Sequence, residues 1–428
     1  MRKGHGLIQM LVLVVGFSGC GGGSEDGETA SIPVQIKDSA GVRIVEHAGM
    51  PDTTAPFRFA AEPRYRHGTG PGDYAFQRIN AGSLFPNGSA IVSDLFNQEL
   101  IVLSANGSSH EVLARRGEGP GDISYVEATY ALGPERLLAV DGHRVIIFAG
   151  GSVERAVDIR NTSGLGMKGI GSPGQLLMAT NSFTSDFEAA WLAGHMARFD
   201  METGALDTIT SYDSRPRTPP GQQRNPILAW GWAAVAAGQF VYARSDLPQV
   251  TWRRPEDGTV TQIVRWQAEA TPLTEESFED IEAKLWAGHL IDHRGDASEA
   301  HLDEWTEGEM VFYRAVIGEP MPLFTAPFGD PEGRVWLAPY DPGGVGDEVP
   351  QYTVISGDGE WVGTVKAPPR FRILDVADGL VLGVQLDAMD VENVVVYELV
   401  GGDAGGGGPC EHRALPPARQ DSKSLAVR

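Results

Sequence analysis

The sequence is poor in cysteine and in basic residues. Two cysteines among 428 residues, Cys20 and Cys410, exclude a disulfide scaffold and a zinc site built from several thiolates. Lys and Arg number 34 against 57 Asp and Glu, a formal net charge of −23. Such a chain offers no basic face, so no nucleic-acid partner is expected. The sequence also contains no P-loop, no GxSxG nucleophile elbow and no EF-hand loop, so these three chemistries are not predicted.

The clearest long apolar run stands at the N-terminus. A basic start is followed by apolar residues from Leu7 to Phe17 and then by Ser-Gly-Cys, ending at Cys20. This pattern predicts a secretory signal over residues 1–19, too short to cross a bilayer as a stop-transfer helix. The segment before Cys20 resembles a bacterial lipoprotein lipobox, which implies that Cys20 is the acylated first residue of the mature chain. The alternative is a plain secretory signal with an incidental cysteine.

The same resemblance predicts the cellular location of the mature chain. Residue 21 is Gly rather than Asp, which implies lipid anchoring in the outer membrane, on the periplasmic side or at the cell surface. Residues 20–37 begin with a Gly-rich polar stretch and are predicted to form a flexible tether. Residues 401–428 have almost no apolar content and are predicted to be a disordered tail, in which Cys410 is a free thiol.

Between tether and tail the chain repeats. GTGPGD begins at Gly68 and GEGPGD at Gly117, and each is followed by short apolar runs, one of which ends in Asp94 or Asp141. Later segments keep the rhythm, with Asn-Gly, Thr-Gly or Asp-Gly pairs that suit hairpin turns. Each unit therefore predicts about four antiparallel strands, and radial stacking of such units gives a propeller. We predict an all-β, six-bladed β-propeller over residues 38–400, with units at 76–116, 124–160, 167–212, 228–267, 321–367 and 371–400.

The last unit shows only three strands. The segment from Phe57 to His67 lies before the first GPG loop, where a fourth strand belongs. We expect it to close the ring by pairing into the last blade, because closure removes free sheet edges.

The two best repeats also resemble a known family. A Gly-rich loop is followed by an apolar strand that ends in Asp, with Asn97 three residues after Asp94 and Arg144 three residues after Asp141. This pattern is similar to the NHL-type repeats of bacterial six-bladed β-propeller lipoproteins. The resemblance implies the propeller fold and an envelope location. Relatives include scaffold and binding modules as well as lyases and lactonases, so it implies no single reaction.

The repeat is interrupted between blades four and five. Residues 268–320 have a helical pattern. Between Glu269 and Glu309 there are 13 acidic residues, and the only basic residues there are Lys284 and Arg294. We predict a helical lid over the central funnel, on the face that also carries the GPG loops. If this segment guards a site, its charge favours a cationic ligand or a bridging metal.

The candidate ligand-binding residues are Asp94, Asn97, Asp141, Arg144, Trp230 and Trp232. For Asp94 and Asp141, bonds to neighbouring backbone N–H groups are the competing structural role. For the two tryptophans, packing between blades competes with stacking on sugar rings or peptide aromatics. His289 and His293 stand four residues apart and are weak candidates for metal ligands, with surface histidines as the alternative.

Two classes of function remain open. The first is a non-catalytic propeller that binds a protein, peptide or carbohydrate ligand while anchored to the membrane. The second is a metal-dependent propeller enzyme of lyase or lactonase type, with a divalent cation in the funnel. The sequence supplies no catalytic residue and no cofactor motif, and we favour the first class.

Overall fold

The computed structural model describes residues 34–49, 55–162, 164–181, 191–216, 227, 229–292, 298–342 and 349–401, with the backbone alone at Asn181 and at 291–292. The predicted signal, Cys20, most of the predicted tether, His293 and Cys410 lie outside these residues. Four strands precede the first complete blade: β1 (Val34–Ser39), β2 (Val42–His47), β3 (Arg58–Phe59) and β4 (Tyr65–His67).

Five consecutive four-stranded groups follow, each antiparallel and each joined in sequence order. Blade 1 holds β5 (Ile79–Leu84), β6 (Ala90–Asp94), β7 (Glu99–Leu103) and β8 (His110–Arg115). Blade 2 holds β9 (Val126–Gly133), β10 (Arg136–Asp141), β11 (Arg144–Ala149) and β12 (Ser152–Asp158). Blade 3 holds β13 (Gly166–Ile170), β14 (Gln175–Asn181), β15 (Trp191–Asp200) and β16 (Leu206–Pro216). Blade 4 holds β17 (Gly231–Ala236), β18 (Gln239–Arg244), β19 (Gln249–Arg253) and β20 (Val260–Trp266).

Two helices follow, α1 (Phe278–Asp292) and α2 (Glu299–Arg314). Blade 5 then holds β21 (Phe328–Gly329), β22 (Val335–Leu337), β23 (Gln351–Ile355) and β24 (Trp361–Lys366). Blade 6 holds β25 (Phe371–Ala377), β26 (Leu380–Leu386) and β27 (Glu392–Val400). The predicted six-bladed propeller of four-stranded blades, with a helical insertion between blades four and five, is confirmed.

The predicted turn glycines explain why the strands reverse where they do. Gly107, Gly204, Gly258 and Gly359 join the third and fourth strands of their blades, with φ between 66° and 83°. L-residues with a side chain rarely adopt this conformation, so glycine is the residue that fits it.

The core of the molecule lies between the blades. Six clusters of buried apolar side chains each join neighbouring blades, and a seventh joins the insertion to the ring. Trp252, Trp266 and Trp336 belong to these clusters and are at most 5% exposed. A blade buries its two faces only by stacking on its neighbours, so the complete ring is the unit of stability.

The predicted ring closure is confirmed. Strands β3 and β4 both pair antiparallel with β27, with Tyr65 opposite Val396 and Phe59 opposite Leu399. Phe57 also packs on Trp336 of blade 5, at a ring-centroid distance of 6.0 Å. N-terminal residues thus supply the fourth strand of the C-terminal blade and tie the chain ends together.

A hairpin that the sequence did not reveal precedes this closing segment. Strand β2 pairs parallel with β20, the outer strand of blade 4, with Arg43 opposite Gln262 and His47 opposite Trp266. Val45 is fully buried in the contact. The hairpin covers an edge that would otherwise be free to pair with another chain. The predicted boundary between tether and propeller, at residue 38, falls inside this hairpin.

The helical insertion packs on the rim of the ring between blades 4 and 5. Ile281, Leu285, Met310 and Tyr313 are buried against one another, and the cluster includes Ile227 from the segment before β17. The Lys284 ammonium lies 2.7 Å from a carboxylate oxygen of Asp341, which follows β22. Among the helices of the described residues, none is long and apolar enough to cross a membrane.

Candidate functional site

A channel runs through the centre of the ring, with a volume of about 560 Å³. Its lining comes from the inner strands β5, β9, β13, β17 and β25 and from residues 326–331 around β21. Among the described residues the insertion contributes no lining side chain, so the acidic side chains described there do not form the channel wall. We call the face where the inner strands begin the entry face. The GPG loops, the turns after β6 and β10, and both ends of the insertion lie on this face.

Four inner strands contain a β-bulge, and in three of them the extra residue is polar and lies close to the entry face. In blade 1, Ile79 and Ala81 oppose consecutive residues of β6, so Asn80 is the extra residue. In blade 2 the extra residue is Glu127, and in blade 3 it is Lys168. A bulge leaves the extra residue outside the ladder and redirects its side chain. All three of these residues line the channel.

Trp232 and Arg372 complete the polar ring. Each is the second residue of its inner strand, β17 in blade 4 and β25 in blade 6, and each lines the channel. Blade 5 contributes Ala326 and Pro327 instead. We call Asn80, Glu127, Lys168, Trp232 and Arg372 the mouth residues. They bring an amide, a carboxylate, two cations and an indole to one opening.

The two cations of the mouth are exposed side chains that lie inside the ring. Lys168 is open to the channel but surrounded by the ring, and this desolvation lowers the pKa of its ammonium. Desolvation also lowers the pKa of the Arg372 guanidinium, and the nearby Glu392 carboxylate partly opposes the shift. Arg372 Nη2 donates to the Ile79 carbonyl at 2.7 Å. Lys168 has no hydrogen-bond or ion-pair partner within the described part of the chain.

Asn80 combines a structural bond with a free acceptor. Its Nδ2 donates to the Val126 carbonyl at 2.5 Å and so joins blades 1 and 2. Its Oδ1 is buried and has no partner among the described residues. An unpaired buried acceptor lowers stability unless a donor reaches it, and a ligand or a water molecule can supply that donor.

The predicted candidates Asp94 and Asn97 lie in the turn after β6, away from the channel lining. Asp94 is fully buried, and its carboxylate accepts backbone N–H bonds from Gln77, Arg78, Phe96 and Asn97. Asn97 Nδ2 also donates to Asp94 at 2.9 Å. With this many donors already bound, Asp94 holds the GPG-loop segment against the strand, and this geometry favours the structural role.

Asp141 and Arg144 occupy the equivalent place in blade 2. Asp141 is 1% exposed and accepts from the backbone N–H groups of Ser124 and Tyr125, while Arg144 Nε donates to it at 2.9 Å. Burial alone would raise the pKa of Asp141, but these bonds hold it below its ordinary value. The pair also stands outside the channel lining.

The Asp that ends each GPG motif accepts hydrogen bonds from glycine N–H groups of its own loop. Asp73 accepts from the N–H groups of Gly68 and Gly70 at 2.9 and 2.8 Å, and Asp122 accepts from Gly119 at 2.7 Å. The glycines let the loop fold back around its own carboxylate. These loops are turn structures of the rim.

Of the predicted tryptophans, Trp232 lines the channel and Trp230 stacks behind it. Their ring centroids are 5.5 Å apart with an interplanar angle of 21°. Trp230 N–H donates to Ser245 Oγ at 2.9 Å, which fixes the strand entry. Trp230 therefore supports the indole that faces the channel.

His289 lies on α1, away from the mouth. Its ring centroid is 5.9 Å from that of Trp305 on α2, and its Nε2 is 3.9 Å from a carboxylate oxygen of Glu309. His293 lies outside the described residues, so the predicted pair stays a prediction. Among the described residues, no group of three or more His, Cys, Asp or Glu side chains is placed to hold a metal ion.

Sequence reasoning found Trp232 but missed Asn80, Glu127, Lys168 and Arg372. Asn80 and Glu127 are each the second residue of the strand that follows a GPG loop, and this position is a usable signal. Lys168 and Arg372 carry no motif. Their site is defined by a bulge and by the ring, which are not visible as local patterns.

No known family model matches the chain, and no curated protein is significantly similar to it in sequence. Solved structures of similar fold include a protein described as exported from Bacteroides fragilis, with 8% identity, 84% of this chain and 99% of that chain covered, and a TM-score of 0.45. They also include regucalcin, a calcium-binding protein from Agrobacterium tumefaciens, with 11% identity, 84% and 97% coverage and a TM-score of 0.39. A streptogramin B lyase structure is 9% identical, with 81% of this chain and 87% of that chain covered and a TM-score of 0.35. At these values the comparisons carry no argument about function.

Proposed function

We propose that this protein is a non-catalytic binding propeller, exported and lipid-anchored, that holds a small ligand or the tip of a larger one at the channel mouth. One observation carries the proposal. Bulges in three consecutive blades direct an amide, a carboxylate and an ammonium into one opening. The bulge in the inner strand of blade 6 instead brings Leu374 to the channel, so a bulge on an inner strand does not by itself require a polar side chain.

The mouth has the chemistry of a recognition site. A volume of about 560 Å³ lies within the range of small-molecule pockets, which combine an apolar wall with a few fixed polar groups. Trp232 supplies a flat apolar surface for a sugar ring or an aromatic side chain. The Asn80 amide can donate and accept hydrogen bonds, the Glu127 carboxylate accepts them, and the Lys168 ammonium donates them. A carbohydrate or a peptide end would use all four.

The alternative, a metal-dependent enzyme, has weaker support. A divalent cation in the funnel needs several oxygen ligands that converge. Glu127 is the carboxylate among the mouth residues, and Lys168 and Arg372 share the opening with it. Asp330 and Asp375 also line the channel, but Asp330 accepts from the Arg334 and Trp336 side chains, and Asp375 accepts from the Leu84 N–H. Two cations beside Glu127 repel a metal ion, and no group of three or more metal-ligating side chains converges among the described residues. These residues therefore do not fit a metal ion, and we derive no reaction through it.

The membrane location rests on the sequence. The lipobox-like segment before Cys20 and the polar stretch after it support a lipid anchor at the outer membrane. The GPG loops with Asp94 and Asp141 support membership of the NHL-type propeller lipoproteins.

Thermal-shift measurements test the binding role. Mature protein with Cys20→Ser is screened against defined sugars, dipeptides, small carboxylates and amines, alongside the triple variant Asn80→Ala, Glu127→Ala, Lys168→Ala. We expect at least one class to stabilise the parent protein and to lose its effect in the triple variant. Glu111→Ala with Lys366→Ala, which removes two exposed charges from outer strands, is the control. Hits that stabilise parent and triple variant equally would contradict a site at the mouth.

A further inference from the structure

We propose that the ligand carries an anionic group, a carboxylate or a phosphate, that binds between Lys168 and Arg372 across the channel. This inference rests on the proposed binding role and gives it a ligand class. Lys168 is in blade 3 and Arg372 is in blade 6. In a ring of six, the third and sixth blades stand opposite each other, so the two cations face the same space from two sides.

The ammonium of Lys168 has no partner in the described part of the chain. Glu127 lies on the neighbouring blade, yet no ion pair joins the two side chains, and burial is the cause of the pKa shift of Lys168. Lys168 is exposed to the channel, so a dissolved anion can reach its ammonium, and no bond within the described chain competes for it. Glu127 and Lys168 are thus kept apart, and each is available to a ligand.

Arg372 also retains donors for a ligand. The described contacts of its guanidinium include one donated bond, from Nη2 to the Ile79 carbonyl. Glu392 accepts from the Ile79 N–H at 2.6 Å and so is itself held at the strand backbone. The remaining N–H groups of a guanidinium suit the two oxygens of a carboxylate or phosphate.

The surroundings set where the rest of the ligand lies. Trp232 is in blade 4, next to Lys168 in the ring, and faces the same channel. An aromatic or sugar ring attached to the anion would therefore stack on the indole while the charge meets the ammonium. Outside the mouth the chain is strongly acidic, at −23 overall, so a pair of lining cations departs from the general charge of the molecule.

The expectation of a cationic ligand rested on the acidic insertion. That segment packs on the rim, and among the described residues it supplies nothing to the channel wall. Its charge therefore does not define the mouth. The mouth residues themselves carry two cations and one carboxylate.

Calorimetric titration with four probes that share one ring tests the charge preference. The probes are benzoate, phenyl phosphate, benzamide and benzylamine, titrated into the mature chain with Cys20→Ser. We expect benzoate or phenyl phosphate to bind at least about tenfold more tightly than benzamide or benzylamine, because charged hydrogen bonds are the stronger ones. Which anion binds better distinguishes the carboxylate from the phosphate class.

Variants of Lys168 then test whether its ammonium causes the preference. Lys168→Met should weaken anion binding by about tenfold or more, and Lys168→Arg should largely retain it. Lys366→Met, on an exposed outer strand, should change nothing. The melting temperature of each variant shows that it is folded.

Each contrary outcome has a distinct meaning. Benzylamine or benzamide bound at the mouth as tightly as the anions would overturn the anionic ligand but leave the binding role intact. Anion affinity unchanged in Lys168→Met would overturn the assigned contact. If none of the four probes binds at the mouth, the anion site is overturned. If, in addition, no compound in the thermal-shift screen stabilises the protein, the binding role is overturned as well.

Discussion

At the scale of single residues, charge is used in two ways on the entry face. Asp94 and Asp141 are buried and fully bonded to nearby donors, so their charge fixes the turns. Glu127 and Lys168 are exposed to the channel and have no ion-pair partner among the described residues. The bonded carboxylates hold the turns of the rim, and the unpaired groups are the ones that we propose for ligand binding.

The first prediction concerns Asp141. Asp141→Asn should lower the free energy of unfolding at pH 7 by about 1–3 kcal/mol, because buried bonds to a charged acceptor are lost. The pKa of Asp141 is depressed in the folded protein, so its stabilisation is present above the unfolded pKa of about 4 and is lost as the pH falls through the folded value. Urea unfolding at pH 7 and at about pH 3 checks both.

The control for this prediction is Asp158→Asn. Asp158 is exposed and pairs with Arg160 at the surface, where an ion pair contributes little. The gap in stability between wild type and Asp141→Asn should narrow in acid, while Asp158→Asn should stay close to wild type at pH 7. A gap that is as wide at pH 3 as at pH 7 would show that the Asp141 charge is not the cause.

At the scale of elements, the inner strand β17 needs glycine at its first residue. A Cβ on Gly231 would lie 1.7 Å from the Asp213 carbonyl oxygen in blade 3. This oxygen belongs to the backbone of a strand, so it cannot move away as a flexible side chain could. Gly231→Ala should therefore destabilise the protein by about 3 kcal/mol and disturb Trp232. Gly166→Ala is the matched control, at the first residue of β13, where the new Cβ has ordinary contacts at 3.8 Å. We expect a change under about 1 kcal/mol there, and equal effects in denaturant unfolding would refute the close approach.

The closing segment gives the third prediction. Deleting residues 20–67 should leave an insoluble chain, because blade 6 loses β3 and β4 and β27 is left as an open edge. Deleting 20–50 should give a folded protein of lower melting temperature, since it removes the hairpin that buries Val45 against blade 4. Soluble yield and thermal melting compare the two. Equal melting temperatures would argue against the closure.

The elements that the sequence predicted are those with local signals. Asp-Gly and Asn-Gly turns require a positive φ, and alternating apolar runs mark strands, so six four-stranded blades could be predicted from the sequence. The β1–β2 hairpin was missed because its parallel pairing with β20 joins residues far apart in sequence. The mouth was mostly missed for a related reason. The bulge at Lys168 depends on the register between β13 and β14, and no local sequence pattern predicts that register.

At the scale of the whole molecule, the proposal joins a lipid anchor to an open ring. Cys20→Ala should release the protein from the membrane fraction and leave its signal uncleaved by the lipoprotein peptidase, because no acyl group can then be attached. Cys410→Ala is the control and should remain membrane-bound. Fractionation followed by immunoblotting decides it, and membrane attachment that survives Cys20→Ala would refute the anchor.

The central claim is that a ligand binds at the channel mouth, and a crystal soaked with a fragment library tests it most directly. The library should contain sugars, dipeptide ends, aromatic carboxylates and aromatic amines. We expect bound fragments to gather at the mouth, within hydrogen-bond distance of Asn80, Glu127 or Lys168 and against the Trp232 ring. Fragments found elsewhere on the propeller, with none at the mouth, would contradict the account.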